Sequence, residues 1–310
     1  MIAIAARRLV SMLLIMLVIS VLLFVVFEGD KLNLATRVLG PYSAMEGRLT
    51  WLETNGYNRP LITRYFSWLY GFFTGDWKTS AQFSAPVFDF LLPRLKNTAL
   101  LGALVFVFTV VISLVLGVLA GVSEASKRDR VITVLSVLTT SVPEFASATF
   151  LVAIFVFWLD WLPGSSSFAT GFSWREMVLP VATLVIYNFG YYTRMTRASM
   201  AEVMNSQYIR TAILKGLPYR QVIMRHALRN ALIAPFTVMI LQLNYLLSGV
   251  VVTEVFFAYD GYGKALYDAA MFGDVYLILA GAMIAVVVAV VSQFISDVGY
   301  TRLNPRIRFS

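Results

Sequence analysis

The sequence contains no cysteine and a single histidine, His226, and these absences exclude several classes of protein. Disulfide frameworks, thiolate metal centres, zinc fingers and Cys–His nucleophile pairs all need side chains that the chain lacks. Charged residues make up only 14% of the 310 residues, and 59% are apolar. Soluble domains carry roughly 25% charged residues, so the composition excludes intrinsic disorder and is typical of a membrane protein.

The formal net charge of +8 raises the question of nucleic-acid binding. The lysines and arginines alternate with long uncharged stretches instead of forming one basic surface, so we expect no nucleic-acid partner. No Gly-x-x-x-x-Gly-Lys-Ser/Thr sequence occurs, and Gly263-Lys264-Ala265 lacks the earlier glycine and the hydroxyl. The chain therefore carries no nucleotide-binding motif of this type.

Six stretches are long and apolar enough to cross a bilayer as helices, because about 20 helical residues span its hydrocarbon core. They cover residues 9–27, 98–122, 131–159, 177–193, 231–252 and 275–296. The runs are continuous, whereas the strands of a membrane β-barrel would alternate, so the pattern predicts a helical bundle. The first run follows Arg7 and Arg8 as a signal peptide would, but its length and the lack of a cleavage site predict a retained anchor.

The distribution of lysine and arginine predicts the orientation of these spans. Fifteen of the 25 fall in the short segments that are cytoplasmic if the N-terminus is inside. We therefore predict an all-α membrane protein with six transmembrane helices and both termini cytoplasmic, forming a single domain over residues 1–310. The predicted extracytoplasmic segments are 28–97, 160–176 and 253–274, and the longest cytoplasmic loop is 194–229.

The first extracytoplasmic segment, 28–97, is too charged to span the membrane, but part of it is amphipathic. Its apolar residues recur at helical spacing beside two tryptophans: Ile62, Phe66, Leu69, Tyr70 and Phe73, with Trp68 and Trp77. This pattern predicts a helix that lies on the membrane surface. A surface for a protein partner is the alternative.

The loop 194–229 has a pattern that its positive charge does not explain. Ser199-Met200-Ala201-Glu202 is a capping-box sequence and predicts a helix start. Met200, Val203, Met204, Tyr208 and Ala212 then share one helical face. Gly216 suits a left-handed helix end, and Pro218 predicts that a second helix begins close to it. The first helix could lie on lipid or dock into a cytosolic partner, and the pattern alone favours neither.

The same loop resembles a known motif. Arg210-Thr211-Ala212-x-x-x-Gly216, with His226-Ala227-Leu228-Arg229 further along, is similar to the EAA loop of ABC importer permeases, in the form typical of the dipeptide and oligopeptide permease family. Landmarks that agree in order are residues 61–65, 75–80, 94–98, 141–145, 161–164 and 304–308. The resemblance covers nearly the whole chain, although residues 27–33 replace the Pro-Gly-Asp-Pro-like turn usual in the family.

The resemblance implies that the chain is the first permease subunit of a binding-protein-dependent importer in the bacterial inner membrane. The implied partners are a second, similar permease, two cytosolic ATPase subunits and an extracytoplasmic substrate-binding protein, besides membrane lipid. ATP and Mg²⁺ are expected in the ATPase subunits, with no cofactor and no catalytic residue in this chain. The residues implied to couple to an ATPase subunit are Ser199, Glu202, Arg210, Thr211, Ala212, Gly216, Leu217, His226 and Leu228.

Polar residues within the spans are candidates for the translocation pathway, because such groups usually face a bundle interior or a water-filled path. They are Glu144, Asn188, Gln242 and Asn244. A structural hydrogen bond or ion pair is the alternative for each of them. His226 is expected to be a basic member of the loop, since one histidine cannot build a metal site by itself.

The transported substrate stays open at this point. Dipeptides, longer peptides, nickel complexes, opine-like compounds and oligosaccharides all occur in systems similar to this family. A secondary transporter or channel is the rival from another class, and it would depend on an ion gradient instead of ATP. An intramembrane enzyme would need paired catalytic groups at membrane depth, and Glu144 has no such partner in the sequence.

Overall fold

A computed structural model describes residues 2–169, 171–247 and 250–303. This described part is helical apart from turns and one isolated bridge between Thr79 and Pro86, so the predicted all-α class is confirmed. The chain divides into two compact units. One comprises Met1–Thr98 and Asp260–Phe294, and the other comprises Ala99–Tyr259 and Ile295–Ser310.

The helices are numbered in chain order. The N-terminal half has α1 (Ile2–Glu28), α2 (Lys31–Leu39), α3 (Met45–Thr54), α4 (Leu61–Thr74), α5 (Val87–Val122), α6 (Lys127–Ser141) and α7 (Glu144–Val152). The C-terminal half has α8 (Trp174–Met204), α9 (Gln207–Leu214), α10 (Tyr219–Gln221), α11 (Leu228–Ala231), α12 (Ile233–Leu247), α13 (Val251–Phe256), α14 (Tyr262–Phe272) and α15 (Val275–Leu303). Two π-helical stretches, Ala153–Trp158 and Val222–Ala227, follow α7 and α10.

Three helices in the described residues are long and apolar enough to cross a membrane, namely Val10–Glu28, Val87–Val122 and Val275–Ile295. A fourth is reached if the bent pair Lys127–Ser141 and Glu144–Trp158 counts as one span. The predicted span 177–193 lies within α8, which carries many polar residues. The predicted span 231–252 is an interrupted helix.

Two of the predicted spans are not continuous helices. The stretch 131–159 bends by 101° between α6 and α7, where Pro143 supplies no N–H to the ladder. The stretch 231–252 is divided between α12 and α13. Apolar content predicts that a segment enters the membrane, but it does not predict where the helix breaks.

The predicted helix start at Ser199 is wrong. Helix α8 continues from the predicted span to Met204, and the chain turns at Asn205 and Ser206 before α9. Ser199 instead donates its hydroxyl to the carbonyl of Ala231 at 2.7 Å. Tertiary packing of α8 overrides the local capping signal, and the shared face predicted for residues 200–212 is divided between two helices.

In the first unit, α1 and α4 are joined by a buried ion pair. Arg64 donates from Nη2 to the Glu28 carboxylate at 2.7 Å and to the Glu28 carbonyl at 2.8 Å. The Tyr57 hydroxyl donates to the same carboxylate at 3.1 Å. Burial, together with Tyr276 and Glu28, raises the pKa of Tyr57 well above its usual range, so Tyr57 stays a neutral donor. Residues 27–33, where the family turn is missing, thus anchor α4 through Glu28.

Helix α4 is amphipathic, as its sequence predicts. One face packs on α1, where Tyr65 hydrogen-bonds Ser20 at 2.7 Å and Phe24 contacts the rings of Tyr65 and Trp68. The opposite face leaves apolar side chains 60% to 77% exposed: Ile62, Phe66, Tyr70 and Phe73. Leu69, which the pattern also included, is half-buried.

In the second unit, α5 and α8 approach closely at Gly117 and Gly121. A Cβ atom on Gly117 would lie 2.7 Å from the Thr193 carbonyl oxygen, and one on Gly121 would lie 2.6 Å from the Met200 Cβ. Glycines four residues apart on one helix face allow this spacing in membrane bundles. This contact with α5 fixes the part of α8 that extends beyond the predicted span 177–193.

We predict that Gly117→Leu lowers the stability of the protein by about 2 kcal/mol, because overpacking forces backbone shifts. The measurement is the apparent melting temperature in detergent, with an expected drop of roughly 5 °C. Gly47→Leu is the matched control, since a Cβ at Gly47 meets nothing within 4 Å. Equal melting temperatures for the two variants would contradict the close contact.

Candidate coupling surface

Helix α9 is fixed to the rest of the second unit by one buried face. Ile209 and Ala212 are buried against Met200 of α8. The same cluster contains Val222, Ala227 and Ala231, which follow α9 in the chain. Asn230 adds a hydrogen bond to the Tyr208 hydroxyl at 3.0 Å. The short helix is therefore held by α8 on one side and by the 219–231 segment on the other.

The end of α9 is a Schellman motif around Gly216. Gly216 has φ of 78°, its N–H donates to the Ile213 carbonyl at 2.9 Å, and the Leu217 N–H donates to the Ala212 carbonyl at 3.4 Å. A left-handed conformation favours glycine because other residues bring Cβ close to the backbone. The sequence prediction for Gly216 is confirmed, as is the start of a new helix at Tyr219 directly after Pro218.

The other face of α9 is open. We give the name α9 surface to five exposed residues of α9 and its C-cap: Tyr208, Arg210, Thr211, Leu214 and Lys215. Gln207 and Ile213 are exposed as well. Leu214 is 80% exposed, and Ile213 beside it is 47% exposed. The α9 surface thus combines apolar and basic groups, and within the described part of the chain neither Arg210 nor Lys215 forms an ion pair.

The structure distributes the predicted coupling residues over different environments. Arg210, Thr211, Gly216 and Glu202 are exposed. Ala212 is buried in the support of α9, and Ser199 bonds to Ala231 within the unit. Three others are half-buried: Leu217, His226 and Leu228. Only part of the set can therefore contact another molecule directly, and the remainder supports the helix.

Sequence reasoning missed an ion pair that braces α8. Arg197 contacts the Asp129 carboxylate with Nε at 2.5 Å and Nη2 at 2.7 Å, and the Asp129 side chain is 5% exposed. The Ala125 N–H donates to the same carboxylate at 2.9 Å. The sequence feature that could have indicated this pair is the single acidic residue, Asp129, among three basic residues at positions 127–130. The pair ties the α8 extension to the start of α6.

The polar residues predicted for the pathway differ in their surroundings. Glu144, the first residue of α7, accepts hydrogen bonds from the hydroxyls of Tyr245, at 3.2 Å, and of Thr253. Asn188 is buried and donates to the Leu184 carbonyl of its own helix at 2.7 Å. Gln242 is 4% exposed and its amide atoms have no hydrogen-bond partner among the described residues. The Asn244 side chain lies outside the described residues.

The described residues contain no group of three or more histidine, aspartate or glutamate side chains that could hold a metal ion. The site is thus a set of apolar, basic and hydroxyl groups on a short helix supported by a long one. The short helix is packed on α8 through its buried face, so the two helices are mechanically connected. The long apolar helices define the chain as an integral membrane protein.

Comparison with known proteins identifies the family. Residues 113–309 match the family described as the binding-protein-dependent transport system inner membrane component, and residues 1–115 match the description of its N-terminal part. The chain therefore belongs to the inner-membrane components of binding-protein-dependent transport systems. It is a permease subunit of the ABC importer class, as the sequence resemblance predicts.

Relatives match over the full length. The oligopeptide transport system permease protein AppB of Bacillus subtilis is 32% identical over 310 residues, which cover 98% of both chains. A probable peptide ABC transporter permease of Sinorhizobium fredii is 30% identical, and the glutathione transport system permease GsiC of Shigella flexneri is also 30% identical. Both cover 98% of this chain and 98% of their own length.

A solved structure shares the fold. The inward-facing MetNI methionine ABC transporter matches with a TM-score of 0.56 and 17% sequence identity. The match covers 71% of this chain and 98% of the compared chain. At this identity the likeness concerns the fold alone, and it supports the assignment of the helical membrane class.

We predict that Gly216→Val weakens transport severalfold while membrane insertion stays normal. The β-branched residue would be strained in the left-handed conformation by about 1–2 kcal/mol, which favours unwinding of the end of α9. Uptake into vesicles and the amount of inserted protein are the two measurements. Gly216→Asn is the control, because asparagine tolerates this conformation. Transport by the valine variant at the normal rate would contradict the role of this helix end.

Proposed function

We propose that this chain is the first permease subunit of an ATP-driven importer of peptides, and that it forms half of the translocation pathway. The observation that carries the proposal is the full-length similarity to permeases of oligopeptide, peptide and glutathione transport systems. Three relatives that differ in exact substrate share peptide chemistry, so peptides are favoured over oligosaccharides, opines and nickel chelates. Within the peptides, the preferred length stays open.

The α9 surface is the part of the chain that we assign to an ATPase subunit. Leu214 offers an apolar contact, and Arg210 and Lys215 offer positive charges beside it. Desolvated apolar side chains at the centre of an interface supply much of its affinity, and peripheral charges supply specificity. Because α9 packs on Met200 of α8, movement of the bound subunit would pass to α8 as a rigid displacement.

The remaining assembly follows from the family. We propose a second, similar permease, two cytosolic ATPase subunits that bind ATP and Mg²⁺, and an extracytoplasmic binding protein that delivers the peptide. The proposed topology has six spans with both termini in the cytoplasm, in the inner membrane of a bacterium. The distribution of lysine and arginine supports this orientation, in which α9 would lie on the side where ATP is available.

Helix α4 is proposed to lie at the extracytoplasmic interface of the inner membrane. Its inner face reaches Ser20, eight residues before the end of α1, so α4 runs beside the last turns of a transmembrane helix. Its exposed aromatic and aliphatic residues would then meet lipid at the level where aromatic side chains are enriched.

Transport in a defined system tests the function. The complete importer would be reconstituted into proteoliposomes with the second permease, the ATPase subunits and the binding protein encoded beside this chain. We expect uptake of a labelled peptide mixture that requires both internal ATP and the binding protein. Uptake driven by an ion gradient without ATP would favour a secondary transporter and overturn the proposal.

The role of the α9 surface has a separate test. We predict that Leu214→Glu reduces the affinity for the ATPase subunits at least tenfold, since a buried apolar contact would be replaced by an unpaired charge. The measurement is co-purification and titration of the detergent-solubilised permease pair with the ATPases. Leu49→Glu is the control, because Leu49 is an exposed leucine of α3 in the first unit. Equal affinity for both variants would place the docking site elsewhere.

A further inference from the structure

The strongest unassigned feature is the place where two interrupted spans meet. Helices α6 and α7 join at a 101° bend, and α12 and α13 are separate helices within one apolar stretch. Glu144 starts α7 and accepts a hydrogen bond from Tyr245 of α12 and another from Thr253 of α13. In secondary transporters, substrates and ions bind near the middle of the bilayer at helices that are interrupted.

The Glu144 carboxylate has hydrogen-bond donors but no counter-ion. Tyr245 and Thr253 both donate neutral hydroxyl groups, and within the described residues no lysine, arginine or histidine forms an ion pair with Glu144. Arg194 of α8 donates instead to the Thr140 hydroxyl at 3.3 Å. Its hydrogen bonds hold the carboxylate in a defined position while its charge remains unmatched by an ion pair.

The half-buried Glu144 carboxylate has exposed polar neighbours in Tyr245 and Ser141, beside the exposed ring of Phe145. Glu144 lies near the middle of the apolar stretch 131–159, and it is half-buried. Tyr245 is partly exposed, and Ser141 on the other side of the bend is also exposed. A partly exposed carboxylate facing hydrocarbon is costly, so this surface is expected to face water or a polar ligand.

We propose that Glu144 is the binding site for the positively charged amino group of the substrate during its passage through the membrane. The inference rests on the proposed function and adds the chemistry of recognition. A primary ammonium has three N–H donors and can bind a carboxylate that already accepts two hydroxyl hydrogen bonds. Tyr245 and Thr253 act as positioning residues, because they orient the carboxylate from two separate helices.

The test compares two probes that differ at the N-terminus, where one has a charged ammonium group and the other an uncharged acetylated nitrogen. Trialanine and N-acetyl-trialanine, both labelled, would be delivered to the reconstituted importer by saturated binding protein after their affinities for that protein are measured. For Glu144→Gln, we expect the ratio of trialanine uptake to N-acetyl-trialanine uptake to fall about tenfold relative to the unchanged protein, since the lost charge pair is partly solvated. ATP hydrolysis stimulated by the binding protein should stay normal, and Glu53→Gln on exposed α3 should leave the ratio unchanged.

The outcomes separate the two proposals. If the unchanged importer takes up trialanine with ATP, but Glu144→Gln alters both probes equally or neither, the charge-recognition proposal is overturned and the importer function stands. If the unchanged importer takes up neither probe, the peptide-importer function fails and this inference fails with it. A selective loss of the trialanine preference supports both.

A second measurement avoids dependence on the assembly of the variant. A water-soluble carbodiimide with an added amine would label accessible carboxyl groups in the unchanged importer, and mass spectrometry would report the modification of Glu144. We expect labelling that saturating trialanine reduces severalfold and N-acetyl-trialanine does not. Absence of labelling, or equal protection by the two probes, would overturn the proposal.

Discussion

A bilayer interior offers no water to a backbone N–H or C=O that lacks a partner, and each such group costs several kcal/mol there. A break in a helix at membrane depth is therefore stable only where protein contacts or a wet cavity surround it. The bend between α6 and α7 has protein contacts of this kind beside it. Pro143 removes a donor at this bend, and the Glu144 side chain joins α7 to α12 and α13.

Helix α8 connects the membrane part of the second unit to α9. Glycines 117 and 121 allow α5 to approach its backbone, Asp129 holds Arg197, and Ala231 accepts the Ser199 hydroxyl. These contacts occur along the last three turns of α8, before it ends at Met204. A helix restrained on several sides moves as one body, which is the property that a coupling element needs. The exposed α9 surface is attached to this body through Met200.

Several features could be predicted because their cause is local in the chain. The conformation of Gly216 follows from a helix that must stop before Pro218, and the amphipathic nature of α4 follows from the spacing of its apolar residues. Ser199 shows the limit of such reasoning. Its capping sequence is consistent with a helix start, yet packing against α5 and the 219–231 segment keeps α8 continuous through that position. Asp129 illustrates the same limit, since its partner lies 68 residues away.

The amino-acid sequence by itself determined that the chain enters a membrane, which segments are apolar, and that a basic loop with a glycine-terminated helix resembles a coupling motif. Composition and short-range spacing carry that information, because the transfer of a segment into lipid depends mainly on its own side chains. Only the tertiary structure decided where the spans break, that α8 extends to Met204, and that Glu144, Tyr245 and Thr253 come together. Those results depend on contacts between residues far apart in the chain, which no local pattern records.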